Sequence, residues 1–160
     1  MDEPCLPLRG YGAGNNYSVV LKSDGTVWIW GSNDRGLLGT GAPPSTAVNR
    51  PVQVSSLSSI TAIAAGTGHV MVLNSDGTVW AWGSNSLGQV GLGTADFAPH
   101  TTPVQVTGLT GIVAIFAGDH VSYAVKRHGT MFGWGATFFG KLGDGTAGFS
   151  VNSPKQFPGL

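Results

Sequence analysis

An all-β chain built from tandem antiparallel sheets is what this sequence predicts, and three observations predict it. The first is a period. Ser23-Asp24-Gly25-Thr26-Val27-Trp28-Ile29-Trp30-Gly31 returns as Ser75-Asp76-Gly77-Thr78-Val79-Trp80-Ala81-Trp82-Gly83, and more loosely as His128-Gly129-Thr130-Met131-Phe132-Gly133-Trp134-Gly135, at intervals of 52 residues. A spacing near fifty marks an array of units that bury their apolar faces on one another. The second is that short segments such as Tyr17-Ser18-Val19-Val20-Leu21 and His69-Val70-Met71-Val72-Leu73 are apolar on both faces, so each sheet is covered above and below. The third is glycine: 26 of 160 residues, with no three-residue period, placed as turns between short strands.

Taking the phase from Cys5, Leu57 and Leu109, the units span residues 5–56, 57–108 and 109–160. Each unit opens on a small-residue strand: Leu8 to Ala13, Ile60 to Ala65, and Ile112 to Ala117, closed by Gly14, Gly66 and Gly118. Repeat one is degenerate here, with Arg9 and Gly10 where the others carry small or β-branched residues. The second strand is the doubly apolar one, ending at Leu21, Leu73 and Val125.

Asp24-Gly25 and Asp76-Gly77 follow, the pair favoured in two-residue type I′ turns, which need positive φ at both central residues; His128-Gly129 is a weaker version. The third strand alternates Trp28 and Trp30 with Val27 and Ile29, and the glycine after it leaves space for a close crossing or a bulge. Next is a glycine-rich bend, as in Gly36-Leu37-Leu38-Gly39-Thr40-Gly41, then a variable polar loop. The fourth strand begins at Pro51, Pro103 and Pro154, where a missing donor is tolerated.

Four strands per unit make one antiparallel sheet. Sheets of this kind, stacked radially without helices, form the blades of a β-propeller, here about three blades of a partial ring or of a ring completed by oligomerisation. Trp28, Trp30, Trp80, Trp82, Phe132 and Trp134 are the expected blade-to-blade packing, since a buried tryptophan removes roughly 150–250 Å² from water. At about 25 cal/mol per Å² that is at most about 4–6 kcal/mol each.

The combined pattern resembles the regulator of chromosome condensation repeat: a small-residue strand ending in Gly, a His-containing strand ending in Leu, Asp-Gly-x-Val-Trp-x-Trp-Gly, Asn-x-x-Gly-x-x-Gly-x-Gly, and Pro-x-x-Val. Asn33 to Gly41 and Asn85 to Gly93 carry the fourth piece, whereas repeat three has Thr137 for the Asn and Phe132 for the first Trp. The resemblance implies seven-bladed rings, so three repeats leave end faces that expose apolar surface. Further repeats of a longer chain, or self-association, most simply a two-chain six-bladed ring, are the expected ways to cover them.

Eight basic residues balance eight acidic ones, so no field is available to gather phosphate backbones and nucleic-acid binding is not expected. No apolar run reaches bilayer length, and the opening Met1 to Pro7 lacks the basic and apolar regions of a signal peptide, so the expectation is a cytoplasmic chain with no membrane contact. A single cysteine, Cys5, excludes an internal disulfide and a multi-thiolate zinc site, and reads as small apolar filler.

Three apparent sites read as structure. Gly143 to Gly148 matches G-x-G-x-x-G, yet the same place in the other repeats is a bend before a polar loop, without the helix a dinucleotide requires. Asp119, His120 and Ser122 lie close in sequence, but adjacent strand residues point to opposite faces. The four histidines have no metal-ligand spacing. Neither cofactor nor metal is expected, and the chain does not read as an enzyme.

Recognition belongs instead to the loops that vary while the frame repeats. One set lies between first and second strands: Asn16 and Tyr17, His69, and Asp119 with His120. The other follows the Trp-Gly pair: Asp34 and Arg35, Leu87, and Phe138, Phe139 and Lys141. The adjacent phenylalanines are either an interface anchor or a packed pair beneath the loop. The leading expectation is a non-enzymatic protein-interaction scaffold whose partner the sequence does not name. The resemblance also implies guanine-nucleotide exchange on a small GTPase, ranked second because no repeat carries a protruding insertion; a carbohydrate-binding module ranks third.

Overall fold

A computed structural model describes residues 7–145 and 147–157. Cys5, Thr146 and Leu160, and with them the outer limits of the first and third units, lie outside the described residues.

The architecture is all-β, in three four-stranded antiparallel sheets. Blade 1 is β1 (Leu8–Gly14), β2 (Tyr17–Lys22), β3 (Val27–Gly31) and β4 (Val48–Gln53). Blade 2 is β5 (Ile60–Ala65), β6 (His69–Asn74), β7 (Val79–Asn85) and β8 (Asp96–Gln105), and blade 3 is β9 (Ile112–Ala117), β10 (Val121–Lys126), β11 (Met131–Ala136) and β12 (Ser150–Gln156). Strands pair in sequence order within each sheet. Among the described residues the single helical element is a 3-10 turn at Phe138–Gly140.

Pairing register decides which face each residue takes. Ser18 opposes Trp30 and Val20 opposes Trp28, while Val19 opposes Ile29 and Leu21 opposes Val27. The Val19 face of blade 1 buries against Val70, Val72 and Trp82 of blade 2. The equivalent face of blade 2, with Met71, Leu73 and Ala81, buries against Ala124 and Trp134 of blade 3. Every blade therefore has an outgoing face, turned to its successor, and an incoming face that carries the aromatic pair. β6 is covered on both sides, and five of its six residues are buried, as double-sided patterning requires.

Three local expectations are corrected. The Asp-Gly turns are not type I′. Gly25 and Gly77 have positive φ but Asp24 and Asp76 do not, and the bonds Gly25 N–H to Lys22 O and Lys22 N–H to Thr26 O close a three-residue loop, a type I turn with a glycine bulge. Asp24 serves by its side chain: Oδ1 accepts from the Thr26 amide and hydroxyl, and Thr26 Oγ1 accepts from the Trp28 indole. At the weaker copy His128 itself takes positive φ, 77°.

The prolines of the fourth strands lie inside those strands, not at their starts. They are tolerated because each fourth strand is an outer edge and because the register breaks there, stepping from Val52 opposite Ile29 to Val48 opposite Gly31, with Pro51 in the bulge. The aromatic pairs are also unequal as cement. Trp82 and Trp134 are fully buried, whereas Trp28, Trp30, Trp80 and Phe132 are half-buried. Lys22 lies over the Trp28 ring at 4.3 Å and Lys126 over Phe132 at 5.3 Å, so in blades 1 and 3 the first aromatic of the pair shares its face with a lysine. The space expected after the second tryptophan is real: Gly31 has φ 111°, and a Cβ there would stand 2.4 Å from the Asn16 carbonyl.

Candidate interaction face

The first-to-second strand loops and the bends after the third strands share one end of the sheets, because β2, β6 and β10 start where β3, β7 and β11 stop. Backbone bonds join the two sets: Ser32 N–H to Asn16 O, Ser84 N–H to Gly68 O, and Ala136 N–H to His120 O. The loops are also laced from blade to blade. Asn15 N–H donates to Thr67 O, Thr67 N–H to Asp119 O, and the Thr67 hydroxyl to Asp119 Oδ1 at 2.7 Å.

Asp119 is the polar centre of this rim. The Thr67 hydrogen bond holds its carboxyl below the usual range, aided by His120 and Lys141, whose nitrogens stand at 3.6 and 3.7 Å. On blade 1, Asn16, Asp34 and Arg35 line a shallow cleft with Thr67 of blade 2. A Cβ on Gly68 would lie 2.5 Å from Arg35 Nη1, so the glycine leaves room for that side chain across the next blade. Leu87 is half-buried, and its amide is held by Gln89 Oε1.

The phenylalanine pair divides its roles. Phe138 packs edge-on against Phe149 with centroids 5.0 Å apart. Phe139 has φ 60° and is 98% exposed. Phe97, at the start of β8, is 93% exposed and stands 52 residues before Phe149 in the sequence. Neither Phe97 nor Phe149 was singled out by spacing, because the surrounding loop text varies, though superposing the repeats places them together.

Tyr17 and His69 do not belong to the accessible face, which corrects the sequence expectation. Both are buried and both tie blades together. Tyr17 Oη donates to the carbonyls of Gly66 and His69 at 2.8 Å, and burial raises its pKa. His69 Nε2 stands 2.9 Å from Ser122 Oγ, which donates to Gln89 O at 2.7 Å. With its proton on that carbonyl, the Ser122 hydroxyl accepts from His69, so Nε2 carries the hydrogen. This is the reverse of a base activating a nucleophile, and the pair is fully buried. Asp119, His120 and Ser122 accordingly form no triad. Burial, reinforced by His120, drives the His69 pKa down to about 3. Among the described residues no group of acidic, histidine or cysteine side chains is arranged to hold a metal ion, and no helix is long and apolar enough to cross a membrane.

The pattern described as the Regulator of chromosome condensation (RCC1) repeat matches residues 24–73 and 76–125, with a second form of it at 60–89. The chain belongs to this family. It is 35% identical to the probable E3 ubiquitin-protein ligase HERC6 of Homo sapiens over 81% of the chain and 13% of that protein, and 31% identical to the RCC2 homolog of Danio rerio over 82% of the chain and 27% of that protein. Among solved structures, Prp20p of Saccharomyces cerevisiae superposes with TM-score 0.83 at 23% identity, covering 96% of this chain and 39% of that one. Yeast RCC1 (Prp20) bound to Kap60 gives 0.85 at 21%, covering 96% and 37%. These likenesses fix the fold as RCC1-type propeller blades. The chain spans about a quarter or less of the curated relatives named here and under two fifths of the solved chains.

Proposed function

We propose that this RCC1-repeat segment is a non-enzymatic scaffold that holds a protein partner on the loop-bearing end of its blades, through Asn16, Asp34, Arg35, Leu87, Asp119, His120, Phe138, Phe139 and Lys141. The observation that carries the reading is convergence. Two loop sets, far apart in sequence, form one rim with charges of both signs and a fully extruded phenylalanine, while the Ser122–His69 pair is sealed between blades. Aromatics and arginine are the residue types enriched at protein-interaction hot spots. Solved relatives support a protein as partner: yeast RCC1 (Prp20) is solved with Kap60 bound, and Prp20p has binding properties toward Gsp1p and histones.

Site-specific photo-crosslinking tests this reading. A crosslinker at Phe139 or Arg35 captures one partner and a crosslinker at Thr78, on the hairpin end, does not; Phe139→Ser weakens capture from the Arg35 position by about tenfold or more, as for a hot-spot aromatic. Equal capture from both ends refutes the scaffold face. Accelerated nucleotide release from a small GTPase replaces it with exchange.

A further inference from the structure

The hairpins that join second to third strands lie at the end of the blades opposite the rim, and two of the three close on a carboxylate of their own. In blade 1, Asp24 Oδ1 accepts the Thr26 amide at 3.0 Å and the Thr26 hydroxyl at 2.7 Å. In blade 2, Asp76 Oδ1 accepts the same pair from Thr78 at 2.9 and 2.6 Å. These donors favour the ionised acid, and the threonine hydroxyl is the main cause that holds both carboxyls below their usual range. One amide and one hydroxyl thus make a small anion seat.

Blade 3 keeps the donors and lacks the aspartate. Lys126 N–H to Thr130 O and Gly129 N–H to Lys126 O repeat the bonds of the first hairpin. Gly129 has φ 84°, against 82° at Gly25 and Gly77, so the chain enters Thr130 along the same course. His128 stands at the aspartate position. Among the described residues neither the Thr130 amide nor its hydroxyl meets an acceptor. Phe132, in place of Trp28 and Trp80, also withdraws the indole that donates to the threonine hydroxyl in the other blades.

The charge around these donors is reversed as well. Lys22-Ser23-Asp24 is neutral and Asn74-Ser75-Asp76 is negative, whereas Lys126-Arg127-His128 is positive even with the imidazole neutral. Lys126 Nζ rests 5.3 Å from the Phe132 ring centroid, and Phe132 shares its strand face with Thr130, two residues earlier. Arg127 and His128 are exposed. Among the described residues no carboxylate stands within ion-pair distance of Lys126, Arg127 or His128. A carboxylate arriving there gains charge-assisted hydrogen bonds, which are about twice as strong as neutral ones.

We propose that the blade 3 hairpin is a carboxylate-binding site, in which the Thr130 amide and hydroxyl, flanked by Lys126, Arg127 and His128, receive a Glu or Asp side chain of an acidic partner segment. Blades 1 and 2 supply the same group from their own aspartates, and these two filled copies identify the chemistry of the occupant. Such a segment approaches from the end opposite the rim, so the site is independent of the loop face and of the partner held there.

Backbone amide chemical shifts of the intact chain, titrated with a capped Gly-Glu-Gly peptide and with capped Gly-Gln-Gly at matched ionic strength, test this. Thr26 and Thr78 are the internal controls. The Glu peptide is expected to move the Thr130 amide saturably and to leave Thr26 and Thr78 in place, and the Gln peptide to move none of them. Arg127→Ala weakens the response about tenfold, as loss of one hydrogen bond to a charged group does. His128→Asp, whose own carboxylate takes the donors, abolishes it, while unchanged Trp82 and Trp134 indole signals show that the fold is intact. Glu and Gln peptides that act alike, a shift shared by all three threonines, or an undiminished response in His128→Asp overturns the proposal. Inorganic phosphate that moves Thr130 when the Glu peptide does not overturns it in favour of a phosphate-bearing partner.

Discussion

His69 shows how one buried side chain sets a pH response. Burial, with the His120 charge second, keeps its folded pKa near 3, below the unfolded value of 6.5. The folded state therefore binds fewer protons, so its stabilisation is complete above pH 6.5 and shrinks as pH falls, until the loss is full near the folded value. At pH 5, one and a half pH steps below the unfolded value, the loss is about 2 kcal/mol. Denaturant unfolding at pH 7 and pH 5 measures it, and His69→Val abolishes that part of the slope. Tryptophans differ in the same residue-specific way. Trp82→Ala and Trp134→Ala each cost about 3–5 kcal/mol, as fully buried aromatics do, and half-buried Trp30→Ala costs about 1–2 kcal/mol. The tryptophans were legible in the sequence because their spacing repeats. Tyr17 and His69 were not, since they lie at strand starts directly after the loop residues Asn16 and Gly68, and spacing alone does not say that a side chain reaches into the next blade.

At the scale of the element, the glycine-rich bends differ in how they are held. Asn33 Oδ1 accepts the Leu38 amide while its amide group donates to Ala42 and Pro43 carbonyls; Asn85 repeats this with Val90 and Thr94. Repeat three has Thr137, whose buried hydroxyl has no partner among the described residues, and the bend there tightens into the 3-10 turn that extrudes Phe139. Asn85→Ala strands the buried Val90 amide and costs about 1–3 kcal/mol, read as a shift of the unfolding midpoint. Thr137→Asn restores the tie and protects the Leu142 amide from exchange; unchanged protection contradicts this reading of the bend. The strands and their order were legible from alternation and turn residues. Turn type was not, because Asp-Gly suits both a type I′ pair and the bulged loop, and the choice is made by the Asp24–Thr26–Trp28 side-chain chain.

Across the whole molecule stability is distributed by neighbours. Blade 2 is clad on both faces, while blades 1 and 3 each have one open face, and stacked repeats take stability from every junction. Amide exchange is accordingly slowest in β6 and β7 and fastest in the edge strands β4 and β12; equal protection in all three sheets contradicts this. The resemblance made the propeller legible at once, and the shared rim followed from superposing the repeats. The bond from Tyr123 Oη to Lys141 O, 18 residues away, was not legible, because the residues at the matching positions of the other repeats are the apolar Val19 and Met71.

Buried tryptophans join the blades by donating to the backbone of the preceding bend, Trp82 to Leu37 O and Trp134 to Gln89 O, and indole N–H exchange, followed by NMR for each of the five tryptophans, tests this most directly. Trp82 and Trp134 are predicted to exchange slowest, at rates near global unfolding, and Trp30 fastest. Trp82 and Trp134 exchanging as fast as Trp30 would contradict the account.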